Sequence, residues 1–394
     1  MPDRFIPFSL PLIGDEEIAE VVDTLKSGWL TTGPKTKQFE ADFAEYVGCR
    51  HAIAVNSCTS ALHLALDAVG VGRDDMVITT PMTFAATAEV VRYFGARPIF
   101  VDIDEGTMNI SPALLEETLA GMKDEDRKRV KAIVPVHMAG QPCDMDPIMD
   151  TARRYGVKVV EDAAHTLPAR YKGRTVGTIA DITAFSFYAT KCITTGEGGM
   201  VATDDDGYAE KMRIMSLHGI SKDAWKRYTK EGSWYYEVIR PGYKYNMPDI
   251  AGAIGLQQLK KADAFHGMRT RHAGMYNEAL GGHPAVELPV VSQDVVHSWH
   301  LYIMKLRLDR LNIDRAAFIE ELREMGVFAS VHFIPLHIHP YYRETYGYKP
   351  QDYPVAAAVY ERIVSLPFYP RMSDDDLQYV TDCVRGILDR NLKG

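Results

Sequence analysis

Seven short apolar runs, separated by stretches of helical periodicity, restrict this chain to one broad architecture. HAIAV (51–55), MVITT (76–80), RPIFVDID (97–104), KAIVPVH (131–137) and VKVVEDAAH (157–165) read as strands, and TAFSF (183–187) and GMVAT (199–203) complete the set. Several are apolar throughout instead of alternating, the pattern of strands covered on both faces. NSCTSALHLALDAVG (56–70) and PMTFAATAEVVRYFG (81–95) lie between them with helical spacing. Such alternation predicts an α/β domain with a mostly parallel, seven-stranded sheet. At 394 residues the chain exceeds the usual single-domain length, so a second domain is expected.

Ligands of open α/β sheets collect beyond the carboxyl ends of the strands. There the sequence places Asn56 to Ser60, Pro81 to Phe84, His137, the pair Glu161-Asp162 with His165, and Ser186 to Lys191. Lys191 stands between Ser186 and the glycine-rich Thr194–Gly199. An ammonium at the end of an apolar strand loses hydration, which lowers its pKa and makes it a usable amine nucleophile. The turn at Cys58 and Thr59 opens a helix whose free N–H groups suit a phosphate, though an ordinary Ser/Thr cap has the same wording. It is no nucleotide P-loop, because GxxxxGK is missing. Asp162 either caps a turn or is a buried acid that needs a cation or a proton. Phe84 offers a flat face, and His165 either bonds a ring hydroxyl or caps its own turn. An amine, an acid for a ring nitrogen, a phosphate turn and a stacking aromatic together describe a pyridoxal phosphate site.

Before the sheet, GDEEIAEVVDTLKSG (14–28) predicts a helix with Ile18, Val21, Val22 and Leu25 on its apolar face. The loop holding Trp29 and Thr31 either touches a ligand or packs. Beyond residue 250 the character changes to long helical stretches, a strand candidate at 297–308 and a terminal helix from Ser373, predicting a smaller α+β domain. The division is placed at 1–260 and 261–394, within a boundary zone of 255–285. His332, His337 and His339 invite a metal reading, but Pro335 and Pro340 break the segment and no acid is fixed nearby, so no metal is expected.

A formal net charge of -9, with no basic stripe, argues against nucleic acid as a partner. Five cysteines without metal spacing predict reduced thiols and a cytoplasmic location. No apolar run approaches the ~20 residues of a membrane span, and no signal peptide is expected.

The ordered motifs SGWLTTGP, NSCTSALHLAL, PMTFAATA, VVEDAAH, SFYATKCITTGEGG, YKYNMPDIAGAIGLQQL and VHFIPLHIHPYY cover nearly the whole chain. In them the sequence resembles the DegT/DnrJ/EryC1/StrS sugar aminotransferases, a fold-type I branch of pyridoxal phosphate enzymes. The resemblance implies that Lys191 is the Schiff-base lysine and that Asp162 pairs with the pyridine nitrogen. It further implies that Phe84 stacks on the ring, that His165 lies near the ring hydroxyl, and that Cys58, Thr59 and Ser186 hold the phosphate. Asn246 matches a position that reaches the phosphate from a second subunit, implying a homodimer with composite sites. Trp29, Thr31, Tyr188, His332 and His337 are expected to line the substrate mouth. L-Glutamate is implied as amino donor, and a nucleotide-linked keto-sugar, 4-keto-6-deoxy, as acceptor, with pyridoxamine phosphate as the intermediate cofactor form. Amination at C3 or of a cyclitol is the nearest alternative. A cofactor-binding sensor and a lysine Schiff-base enzyme without pyridoxal phosphate are the others. Tyr188 and the Lys244–Met247 wording depart from the commonest family forms, and a lysine at 191 speaks against the family's dehydratase branch.

Overall fold

The structure is a computed structural model that describes residues 4–221 and 235–394. Its central sheet contains β1 (His51–Val55), β2 (Met76–Thr79), β3 (Arg97–Phe100), β4 (Val130–Ile133), β5 (Lys158–Asp162), β6 (Ile182–Ser186) and β7 (Gly199–Thr203). The seven run in the order β1-β7-β6-β5-β4-β2-β3. Only β7 is antiparallel to its neighbours, and β2, β3, β4, β5 and β6 pair in parallel. Three strands are shorter than their apolar runs. The 97–104, 131–137 and 157–165 runs leave the sheet after Phe100, Ile133 and Asp162. Val101 and Val134 still donate to the Thr79 and Ile78 carbonyls, and beyond them the runs carry Asp102, His137 and His165 out past the sheet edge.

Helices cover both faces of the sheet. Phe39, Phe43, Phe185, Phe187 and Met200 pack one side, and Leu62, Leu66, Val77, Val160 and Val201 pack the other. Of the helices that position the site, α1 spans Asp15–Ser27, α2 Pro34–Val47, α3 Cys58–Ala68 and α4 Ala85–Tyr93. α5 (Asp249–Lys260) and α6 (Ala262–Leu280) follow the sheet, and α7 (Asp374–Arg390) ends the chain.

A second core forms around Tyr276, Tyr302, Phe318, Val380 and Ile387. It packs on an antiparallel sheet of Val286–Glu287, Tyr302–Leu306 and Ile363–Leu366. α6 joins the two cores. Its first turns place Ala262 and Phe265 in the large domain, while Ala273, Tyr276 and Leu280 lie in the small one. A cut at residue 260 also misplaces the chain's start, because Ile6 is buried in the small-domain core and bridges Val327.

The structure corrects the reading of α1. Its apolar residues Ile18, Val22 and Leu25 are 56%, 40% and 52% exposed, whereas Glu17 and Thr24 are buried. The inner face is polar: Glu17 accepts bonds from Lys261 (2.8 Å) and Gln258 (2.9 Å), and Glu20 accepts one from Gln257 (2.6 Å). Periodicity identified a helix with an apolar stripe, but the stripe points away from its own chain. Among the described residues, no helix is long and apolar enough to cross a membrane.

Candidate active site

The site is built where β5, β6 and the first turns of α3 and α4 converge. At α3, Ser57 caps the helix by accepting the Ser60 N–H, and the first helical bond runs from Ala61 N to Ser57 O. The Cys58 and Thr59 amides are therefore the unspent donors of the turn. β6 ends at Ser186, opposite Gly199 of β7. Gly199 has to be small, since a Cβ there would lie 2.6 Å from the Ser57 carbonyl and 2.8 Å from the Cys58 nitrogen. That close approach sets the Cys58 turn beside the end of β6, where Ser186 adds a hydroxyl to a donor set suited to a phosphate.

Lys191 lies one turn beyond, its N–H bonded to the Tyr188 carbonyl at 2.9 Å. The residue is half-buried. Loss of hydration draws its pKa below the usual lysine value, against the opposing pull of Cys58 and Asp162. Among the described residues no acid lies within salt-bridge distance of it. Asp162 is 5% exposed. One of its oxygens accepts from Thr87 Oγ1 at 2.7 Å and the other from Ala164 N at 3.1 Å. Burial pushes its carboxyl pKa up, while Thr87, Ala164 and the Lys191 charge pull it down. A buried carboxylate held only by neutral donors has room for a cationic partner.

Thr87 also ties Asp162 to Phe84. Phe84 is the residue before α4, its carbonyl accepts the Thr87 N–H, and its ring is 63% exposed. His165 is buried, and its Nδ1 accepts the Ala139 N–H at 3.2 Å, so Nε2 carries the proton and can donate. Burial, then the Lys191 charge, holds this ring neutral with a pKa well below that of free histidine. These residues fit pyridoxal phosphate: an amine for the aldehyde, an acid for the ring nitrogen, an N–H for the ring hydroxyl, a flat face and a phosphate turn.

The mouth residues divide into separate groups. Tyr188 is exposed beside Lys191. His332 bonds Ser365 Oγ at 3.0 Å and stacks on Phe8, and burial with the nearby Lys191 charge lowers its pKa to about 4. Trp29, Thr31 and Asn246 meet at a turn of their own. Trp29 Nε1 donates to the Thr32 carbonyl (3.1 Å), Asp249 N to the Thr31 carbonyl (3.2 Å), and Asn246 Nδ2 to Thr32 Oγ1 (2.6 Å). His337 departs from expectation. It is fully buried with its ring edge-on to Tyr353 at 4.9 Å, so it offers no surface at a mouth. Its neighbours in sequence reach the site, but the 3-10 turn Leu336–Ile338 directs this ring inward.

Several contributors escaped sequence reasoning. Thr87 orients Asp162, and its signal was a hydroxyl one turn into a helix that opens on an aromatic. Phe333 lies 5.8 Å from His165 and nearly parallel to it, and His300 lies 4.5 Å from His165 with its Nδ1 unbonded among the described residues. Beneath the site, fully buried Glu161 accepts from Thr183 Oγ1 (2.5 Å) and from His137 Nε2 (3.2 Å). His137 Nδ1 accepts the Cys143 N–H at 3.0 Å, which fixes that tautomer. At the domain seam, buried Arg269 donates to the carbonyls of Trp299, His300 and Phe368. Among the described residues no cluster of His, Cys, Asp and Glu is arranged to hold a metal ion.

Comparison with known proteins places this geometry in context. The model of the DegT/DnrJ/EryC1/StrS aminotransferase family matches residues 11–385. The chain is 53% identical over 389 residues to the uncharacterized protein MJ1066 of Methanocaldococcus jannaschii, covering 99% of each. It is 52% identical over 387 residues to the spore coat polysaccharide biosynthesis protein SpsC of Bacillus subtilis, covering 98% of each. Among solved structures it resembles Spr1654 of Streptococcus pneumoniae, assigned as a sugar aminotransferase. The PLP-form of that protein matches with a TM-score of 0.90 at 33% identity, over 99% of this chain and 100% of that one.

Proposed function

Because the chain belongs to the DegT/DnrJ/EryC1/StrS aminotransferase family, we propose that it transfers the amino group of L-glutamate to a nucleotide-linked keto-sugar. The carrying observation is the juxtaposition of a desolvated lysine, a buried acid without a cation and an open helix N-terminus. The enzyme is a pyridoxal-phosphate-dependent aminotransferase; the pneumococcal relative has been solved in PLP and PMP forms. When bound, the cofactor supplies an aldehyde that exchanges amines and a ring that takes up electrons.

The chain's own residues do the rest. The Cys58 and Thr59 amides and Ser186 would hold the phosphate, Phe84 would offer its face to the ring, and His165 Nε2–H would donate to the ring oxygen. Thr87 and the Ala164 N–H fix the Asp162 carboxylate, which would pair with the ring N–H. With the cofactor bound, the free Lys191 amine would be the base that takes the proton from the donor's α-carbon. It then returns a proton to the carbon that receives the nitrogen.

The acceptor reading rests on the likeness to a polysaccharide biosynthesis protein and on the neutral groups near Lys191. Tyr188 and the uncharged His332 ring suit hydroxyls, whereas a small dicarboxylate calls for a paired arginine. Buried Arg269 gives its Nη1 to three carbonyls, while its Nε has no partner among the described residues. The test is to load the enzyme with glutamate, then offer UDP-, GDP- and dTDP-linked 4-keto-6-deoxy sugars beside simple oxo-acids. Recovery of the visible cofactor band with the keto-sugars, and an amino sugar by mass, is the expected result. Reoxidation by oxo-acids alone would defeat the reading.

The working form is a homodimer in which Asn246 of each chain serves the other's phosphate site. The exposed α1 stripe supports this, as a surface suited to cover by a second copy. Sedimentation should give a dimer; a fully active monomer would contradict it. All five cysteines are unpaired, which fits a reducing cytoplasm.

A further inference from the structure

We infer that His300 is a positioning residue for His165: it shields that ring from water and, with the Ala139 peptide, holds it in the form that donates from Nε2. The inference rests on the bond from His165 to the cofactor's ring oxygen proposed above. His165 belongs to the loop after β5, whereas His300 comes from the chain beyond residue 260, and a tight turn at Ala139 joins the two. Ala139 stands in the left-handed region at φ 57°. Its N–H goes to His165 Nδ1 at 3.2 Å, and its carbonyl accepts the His300 and Leu301 N–H groups at 3.0 and 3.2 Å. Gly140 follows at φ 101°, where a Cβ would lie 2.9 Å from both the His165 carbonyl oxygen and Ser298 Cβ. Ser298 in turn donates its hydroxyl to the Pro168 carbonyl at 2.7 Å, and Arg269 Nη1 donates to the His300 carbonyl at 3.2 Å. The His300 backbone is thus tied at both its N–H and its carbonyl, and its ring is delivered to one place.

That place is against His165. The His300 ring is 4% exposed and stands 4.5 Å from His165 at an interplanar angle of 43°, with Phe333 as a second ring at 5.8 Å. Its Nδ1 is buried and unbonded among the described residues, so at that atom the ring contributes bulk and not a hydrogen bond. A ring kept dry resists a second proton. For His165 that proton would have to enter at Nδ1, where the Ala139 N–H already points. The surrounding groups act in the same sense. Lys191, His332 and His137 oppose a charge on His165, and Lys191, Arg269 and His332 oppose one on His300. His137 is itself paired with Glu161, and the Cys192 thiol meets the His165 carbonyl at 3.8 Å.

Nitrogen NMR of the holoenzyme with isotope-labelled histidine tests the inference. The chain has 13 histidines, so the His165 signals are identified by their loss in His165→Asn. In the parent they should report a neutral, Nε2-protonated ring throughout about pH 5–8. In His300→Ala the ring should take up a second proton as the pH falls, with a midpoint within roughly one unit of the ordinary 6.5. Turnover of that variant should fall off below the midpoint and be kept above it. His300→Phe, which refills the space, should restore the parent's behaviour in both readouts. A parent ring that titrates near its ordinary value, or a His300→Ala ring that stays neutral throughout, overturns the inference. So does a His300→Phe ring that titrates as the alanine variant's does. Should His300→Ala not fold, His300→Asn opens part of the same space and is judged in the same way. If the sealed ring's Nε2 signal does not move when pyridoxal phosphate is added to the cofactor-free protein, the bond to the ring oxygen falls and the seal stands. If it moves in a parent ring that also titrates freely, the seal falls and the bond stands.

Discussion

Replacing Lys191 by alanine is expected to lower turnover at least ~10³-fold while the purified variant still retains cofactor. General acid–base assistance alone contributes about 10²–10⁴, and this side chain is also the amine that exchanges with the donor. Its environment is what qualifies it: burial lowers the pKa of the ammonium against the opposing pull of Cys58 and Asp162, and among the described residues no acid lies within salt-bridge distance. Retention follows from the phosphate turn, whose donors at Cys58, Thr59 and Ser186 do not depend on the lysine. The measurement is single-turnover conversion with glutamate, beside cofactor released on denaturation. Near-parental turnover would show that another amine does the work. A variant that loses its cofactor entirely would show that the phosphate turn contributes little.

Asp162→Asn is expected to keep the fold and the cofactor and to lose about 10- to 100-fold in kcat, with little change in KM for glutamate. The estimate comes from a charged hydrogen bond, worth roughly 1.5–3 kcal/mol, and each ~1.4 kcal/mol is a factor of ten. Asparagine is nearly isosteric: its carbonyl oxygen can still accept the Ala164 N–H, and its NH2 can donate to the Thr87 hydroxyl, so both neighbours that hold the aspartate keep a partner. What it lacks is the negative charge that keeps a ring nitrogen protonated. The two variants therefore separate the amine's part from the ring's part. Equal kinetics for Asp162→Asn and the parent would take this residue out of the chemistry.

How much of this was legible in the sequence depended on whether the signal was local. Strand runs that end in polar residues located the carboxyl edge of the sheet, and with it Lys191, Asp162 and the Cys58 turn, because one short segment carries both the apolar run and its exit. Thr87 and Phe333 were missed because their roles exist only across chain distance: Thr87 meets Asp162 from 75 residues away. His337 was grouped with His332 on sequence proximity, yet a single 3-10 turn buried one ring and left the other near Lys191. Ile6 looked like the start of the large domain, but it packs beside Val327 in the small one. Periodicity found α1 and its apolar stripe; it carries no information about which body, if any, the stripe is pressed against.

That stripe inverts the map of mutational tolerance along the helix. On most helices the apolar positions are those that the chain's own fold refuses to change. On α1 that burden falls on Glu17 and Thr24, which are sealed inside, while positions 18, 22 and 25 face outward and leave the interior of this chain indifferent to their identity. Sequence drift at those three positions would be restrained only by what meets them from outside, and drift at the acid only by the single chain. Two selective pressures are thus written on opposite sides of one helix and can be read separately.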